Sequence, residues 1–105
     1  MDIEEIFATH LQVRLIRIFL ENPSKLYSCT KLARVLGSSP SAIISRLRQL
    51  KQLGLIKVIQ ISRVKLYKLN MDSPLANLLL DFYRKLKKIS QTNIDESEHP
   101  DWEQQ

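Results

Sequence analysis

Cysteine occurs once in the 105-residue chain, at position 29. A lone thiol excludes an intrachain disulfide and a thiolate cluster for zinc. No apolar run approaches membrane-spanning length, and the opening Met1-Asp2-Ile3-Glu4-Glu5 is acidic rather than signal-like. A soluble, cytoplasmic protein with no membrane partner is therefore expected. Catalytic patterns are missing as well: there is no Gly-rich phosphate loop, no pair of catalytic carboxylates and no metal-ligand cluster. His10 falls in a helical pattern and His99 near the C-terminus, far apart in sequence. The expectation is a protein that is not an enzyme, with no cofactor and no metal, and with His10 as a core or interface residue. No internal repeat is found.

Residues 91–105 lack Lys and Arg altogether and carry five of the 11 acidic residues. Residues 1–90 thus hold all 16 basic groups against six acids, a net of +10 hidden within an overall +5. One basic domain over residues 1–90, followed by an acidic and disordered tail over 91–105, is the expected organisation. In that tail Trp102 is the one residue suited to anchoring on an apolar groove. A basic domain favours nucleic acid as its partner.

The helical pattern is well punctuated. Ile3, Ile6 and Phe7 suggest a short helical lead-in. Thr9 and Gln12 have the spacing of a capping box. Leu11, Leu15, Ile18 and Phe19 then recur at helical spacing, with Val13, Ile16 and Leu20 widening the apolar face, until Asn22-Pro23 ends the helix. So much apolar surface predicts burial on two sides, either within the core or with one side against a second subunit. Lys25-Leu26-Tyr27 reads as a short extended piece. Ser28 caps a helix over Cys29–Leu36 that Gly37 closes. Cys29 reads as a small packed residue, with redox sensing as a minor alternative.

A second helix, about 39–53, begins after the short join Gly37-Ser38-Ser39, with Ser39 as N-cap and Pro40 at its first position. Gly54 stops it, and Leu55 is placed to fold back on Leu50. Two helices on a tight, Gly-containing turn make a helix-turn-helix. Ile43, Leu47 and Leu50 form its apolar side. Ser41, Ser45, Arg48 and Gln52 lie opposite, with Ala42, Gln49 and Ile44 flanking, and no acid is present. Small residues beside Arg and Gln suit close approach to base edges and phosphates.

After Gly54 the period changes. Leu55–Ile61 reads as a strand, Ser62-Arg63 as the turn and Val64–Leu69 as the return, giving a wing over about 55–69. Lys65 and Tyr67 share one side. The turn has no Gly or Asn, so a tight type I′ loop is not indicated. Ser73 and Pro74 start a C-terminal helix, about 73–90, with Leu75, Leu78, Leu79, Phe82, Leu86 and Ile89 in one stripe. Arg84, Lys85, Lys87 and Lys88 at its end suit the helix dipole. The fold class is mainly α with a small β-hairpin (α+β).

Leu32-Ala33, Gly37-Ser38-Ser39-Pro40-Ser41-Ala42-Ile43, Leu47-Arg48-Gln49-Leu50, Gly54-Leu55-Ile56 and Leu66-Tyr67-Lys68-Leu69-Asn70 together resemble winged helix-turn-helix transcriptional regulators of the ArsR and MarR type. The resemblance covers about residues 9–70. It implies a homodimer with the first and last helices at the interface, here Leu11, Leu15, Leu75, Leu78, Leu79, Phe82 and Leu86. It also implies a recognition helix in each of two successive major grooves, wings on flanking DNA, and transcriptional regulation, most often repression. Two departures stand out. Metal-sensing members carry paired cysteines where this chain has Ser28-Cys29-Thr30, so no metal sensing is expected. Family wings carry Gly and several Arg at the tip, whereas this one reads Gln60-Ile61-Ser62-Arg63-Val64.

The functional expectation is sequence-specific binding of double-stranded DNA. Ser41, Ser45, Arg46, Arg48 and Gln49 would sit in or beside the major groove, and Ala42 and Ile44 would meet thymine methyls. Ser39 and the helix N-terminus would hold a phosphate. Lys31, Arg34, Lys51, Arg63 and Lys65 would contact the backbone. The angular position of Arg46 leans toward the core. The alternative is a winged-helix module for protein–protein contact, which explains the apolar wing but not the +10.

Overall fold

A computed structural model describes residues 2–95. Five helices and three strands follow in order: α1 (Ile3–Ile6), α2 (His10–Glu21), β1 (Tyr27–Ser28), α3 (Cys29–Leu36), α4 (Pro40–Gln52), β2 (Ile56–Ile61), β3 (Val64–Leu69) and α5 (Pro74–Asp95). The trace bears out the α+β class with a helix-turn-helix and a hairpin wing. Among the described residues, no helix is long and apolar enough to cross a membrane.

Caps set the boundaries of α3 and α4. The Ser28 hydroxyl accepts from the Lys31 N–H at 3.1 Å, and the Ser39 hydroxyl from the Ala42 N–H at 3.2 Å. Gly37 closes α3 in the left-handed region, at φ 65°. At the end of α4 the Gly54 N–H donates to the Lys51 carbonyl and the Leu55 N–H to the Leu50 carbonyl, both at 3.0 Å. That pair of bonds is a Schellman motif, and it needs φ +80° at Gly54. Asn70 then ties the wing to this corner. Its backbone N–H donates to the Leu55 carbonyl at 2.9 Å, and its side-chain amide to the Gly54 carbonyl at 3.0 Å.

Two expectations about the elements are corrected, and the wing turn, as expected, is not of type I′. The extended piece before α3 is a true strand: β1 pairs antiparallel with β3, so the sheet has three strands in the order β1-β3-β2. The wing turn is tight despite lacking Gly and Asn. Ile61 pairs with Val64 directly across Ser62-Arg63, and Ser62 takes φ 57°. A positive φ at the first central residue alone is the type II′ pattern, which matches strand twist as well as type I′ does. Finally, α5 continues to Asp95, so residues 91–95 are helical where a disordered tail was expected. Trp102 lies outside the described residues.

The core is one cluster centred on Leu15, Phe19, Leu32, Ile43, Leu47 and Leu50, with Phe19 meeting Tyr27 edge to face at 5.5 Å between ring centres. Leu15, expected at a subunit interface, is fully enclosed by its own chain and cannot touch a partner. Leu79 is likewise buried, and Leu11 and Leu75 are half-buried against the core. The inward face of α5 is Ala76, Leu79 and Leu80, with Tyr83 beside them. Most of the expected stripe instead points outward: Leu78, Phe82, Leu86 and Ile89 are exposed at steps of four, four and three. Two apolar faces on one helix explain why spacing alone did not choose the inner one.

The Thr9 cap is half of a capping box. The Thr9 hydroxyl accepts from the Gln12 N–H at 3.1 Å, but the Gln12 side chain does not return to the N-cap. It is fully buried and bonds elsewhere.

Candidate nucleic-acid interface

The helix-turn-helix and wing carry charge of one sign only. From Asn22 to Met71 there are ten Lys and Arg and no Asp or Glu. Outside that stretch, residues 1–21 and 72–90 hold six basic and six acidic residues. The whole +10 of the domain therefore belongs to the segment from Asn22 to Met71, which carries α3, α4 and the wing.

Side chains on α4 divide as the spacing predicts. Ile43, Leu47 and Leu50 are buried, Ser41, Ser45, Arg48 and Gln52 are exposed, and Ala42 and Gln49 are half-buried. The wing register places Gln60 opposite Lys65 and Val58 opposite Tyr67. These four face the C-terminal half of α4. Together with Ile44, Leu47, Arg48 and Lys51 they line a cleft of about 360 Å³. Three cations, Arg48, Lys51 and Lys65, thus meet over an apolar floor, with amide and phenol groups between them. The cleft can take an anionic backbone while leaving the polar face of α4 open to base edges. Gln60 and Tyr67 were not among the expected contacts. The alternation of β3 placed Tyr67 beside Lys65, but only the strand register brings Gln60 to the same cleft.

Tyr67 is held protonated. Burial pushes its phenol up, Cys29 adds to this, and the Arg48 guanidinium opposes it. Cys29 is itself pushed up by burial, and its thiol donates to the Pro40 carbonyl at 3.6 Å. A helix N-terminus can lower a thiol's pKa, but here desolvation prevails, so the group is a poor nucleophile.

The other expected contacts lie apart from the cleft. Lys31 and Arg34 are exposed on α3. The Lys31 ammonium is pushed down chiefly by the charge of Lys25 and its contact with it, and Arg34 adds to this. Lys25, which is not one of the expected contacts, also lies 5.2 Å from the Tyr27 ring centre. Like charges this close favour an anion between them. Arg63 is exposed at the wing tip. Ser39 spends its hydroxyl on the cap and lies 3.3 Å from the Ser41 hydroxyl. Arg46 is half-buried, with Nη1 donating to Gln12 Oε1 at 3.2 Å and Nη2 to the Ser45 hydroxyl at 3.4 Å. At the base of the wing Lys57 pairs with Asp72 and holds that carboxyl below the usual range. Among the described residues, no three His, Cys, Asp or Glu gather where they could hold a metal ion.

No protein-family model and no curated protein matches the chain. Solved structures do match. HlyU from Vibrio cholerae superposes with a TM-score of 0.65 at 20% identity, covering 80% of this chain and 86% of that one. The AntR antimony-specific transcriptional repressor gives 0.63 at 17% identity, covering 84% and 76%. The transcriptional regulator BldR from Sulfolobus solfataricus gives 0.59 at 18%, covering 96% and 73%. The fold is the winged helix-turn-helix. In fold, the chain resembles solved transcriptional regulators of the ArsR/MarR type.

Proposed function

We propose that this chain is a sequence-specific, double-stranded DNA-binding transcriptional regulator that acts as a homodimer and represses by occupying its operator. It works in the cytoplasm by binding rather than catalysis. The observation that carries the reading is the segregation of charge. Ten basic residues and no acid surround a capped helix whose outward face is Ser41, Ser45 and Arg48. In this reading α4 enters the major groove, where Arg48 and Gln49 meet base edges and Ala42 meets thymine methyls. Lys51, Lys65 and Arg63 hold phosphates from the wing side, and Lys31 and Arg34, with Lys25, from the α3 side. Two copies join through the outward stripe of α5, Leu78, Phe82 and Leu86, continued by an apolar groove that Phe7, Val13 and Leu20 help to line. A dimer then presents two α4 helices to half-sites about one helical turn apart.

A salt titration of duplex binding tests this. Selection from a random duplex library supplies the sequence, and fluorescence anisotropy reads the affinity. With six or more phosphates neutralised, affinity should fall by about 10³ between 50 and 200 mM salt. Binding no tighter than micromolar at low salt, with no salt slope, overturns the proposal. That outcome favours a protein-docking module instead, a reading supported by the exposed Ile61 and Val64 at the wing tip.

A further inference from the structure

Gln12 is the one fully buried polar side chain among the described residues, and each of its ends is engaged by a different element. Its Nε2 donates to the Glu5 carbonyl at 2.9 Å and to the Ile6 carbonyl at 2.7 Å. These are carbonyls at the C-terminal end of α1, which a four-residue helix cannot satisfy internally. Its Oε1 accepts from Arg46 Nη1 at 3.2 Å, across 34 positions of sequence. The amide has one workable orientation. Turned over, its oxygen would face two carbonyls and its NH₂ would face a guanidinium that only donates. Docked α1 therefore aims the oxygen of Gln12 at α4, and that oxygen holds Arg46. Nη2 of the same guanidinium reaches Ser45, on the outward face of α4. Arg46 spans from the buried amide to the edge of the face proposed to read DNA.

We propose that Gln12 is a positioning residue for DNA recognition: α1, through the Gln12 amide, fixes the guanidinium of Arg46 beside Ser45 in the pose that meets DNA. The inference rests on the DNA-binding reading above and adds the N-terminal helix to it. It gives the half-buried lean of Arg46 a purpose. An arginine carries five N–H donors, and Gln12 and Ser45 take one each, so a fixed guanidinium still has donors for a base or phosphate.

The test uses the full chain and a duplex selected from a random library with the wild-type protein. Gln12→Met, Arg46→Ala and the double variant are compared by anisotropy, with thermal melting run alongside. Gln12→Met and Arg46→Ala should each weaken binding by roughly tenfold, the scale of a specific side-chain contact, and the double variant should be no weaker than the worse single. Gln12→Glu keeps an acceptor for Arg46 while losing donors to α1, so it should melt lower yet restore most of the affinity. Should Gln12→Met fail to fold, the wild-type protein still decides. The ¹⁵N-labelled side-chain amide of Gln12 should shift on adding the duplex, and should not shift in Arg46→Ala. A Gln12→Met chain that melts lower but binds as wild type overturns the inference, as do single effects that multiply in the double variant or a silent amide. In each of those cases duplex binding by the wild type leaves the DNA-binding reading standing. A wild-type chain that binds no duplex overturns both.

Discussion

Phe82→Ala is the perturbation whose size the structure sets most directly. Phe82 is 58% exposed in the single chain, between Leu78 at 64% and Leu86 at 43% on the same face of α5. An aromatic side chain carries about 150–250 Å² of surface, so roughly 100 Å² of Phe82 remains to be covered. A two-fold dimer uses the patch twice, which puts roughly 200 Å² at stake. At about 25 cal/mol per Å² the ceiling is ~5 kcal/mol. Ordering side chains at the interface offsets part of that, so a net loss of ~3 kcal/mol is expected. That corresponds to a dimer dissociation constant raised by about a hundredfold. The monomer's own stability should move by no more than about 0.5 kcal/mol, because an exposed side chain contributes little to the core. Sedimentation equilibrium across a concentration series, with denaturant unfolding as the control, measures both. A wild-type chain that remains monomeric, or an unchanged dimer in Phe82→Ala, refutes the assignment of this face.

Arg48→Ala should cost roughly 1–3 kcal/mol of binding and relax specificity at one position of the site; an equal loss on every duplex would instead make Arg48 a phosphate contact. Gly54→Ala should destabilise the fold by roughly 1–2 kcal/mol, since a left-handed residue acquires a Cβ. No atom other than Ser73 Oγ, at 4.0 Å, stands near that Cβ, so the cost is one of backbone conformation and denaturant melts should show no change in m. Cys29 should react with iodoacetamide more slowly than a free thiol at neutral pH. Its folded pKa is raised, so the protonated form persists, and the rate should climb only above the ordinary thiol range. Unfolding in urea should restore the free-thiol rate, and equal rates in the folded and unfolded chain would show that burial does not protect it.

Local chemistry made most of the helix-turn-helix legible. Ser28, Gly37, Ser39 and Gly54 each punctuate the chain through bonds to residues within five positions, and Pro40 through its fixed φ and missing N–H, so sequence spacing carries the information. What escaped depends on distance. A two-residue strand such as Tyr27–Ser28 has no period, and only β3 makes it a strand. On α5, Ala76 and Leu80 sit inside while Phe82 and Leu86 sit outside, a choice made by packing between elements and not by hydrophobicity. Gln12 occupied a polar gap in an apolar stripe and suited a cap, whereas its partners are two carbonyls of α1 and a guanidinium from α4. The wing cleft is intermediate: alternation pairs Lys65 with Tyr67, but Arg48 and Lys51 join them only once the hairpin folds toward α4.

The charge distribution also decides which faces of two copies can meet. The segment from Asn22 to Met71 carries ten basic residues and no acid of its own, and of these Lys57 pairs with Asp72 just beyond it. Two such faces brought together without DNA would repel along their whole length, and at physiological salt that repulsion acts over about 8 Å. The remaining surface, built from α1, α2 and α5, balances six basic residues with six acidic ones through residue 90, and some of these already pair within one helix, as Lys85 does with Asp81 and Arg17 with Glu21. That neutral side also holds the exposed Leu78, Phe82 and Leu86. Apolar area drives association where no net charge opposes it, and the basic face is left for a polyanion. The same segregation predicts opposite salt responses: dimerisation through α5 should be insensitive to salt while duplex binding weakens steeply. A dimer that dissociates in parallel with the DNA complex as salt rises would place charged residues of the basic face in the subunit contact, against this division.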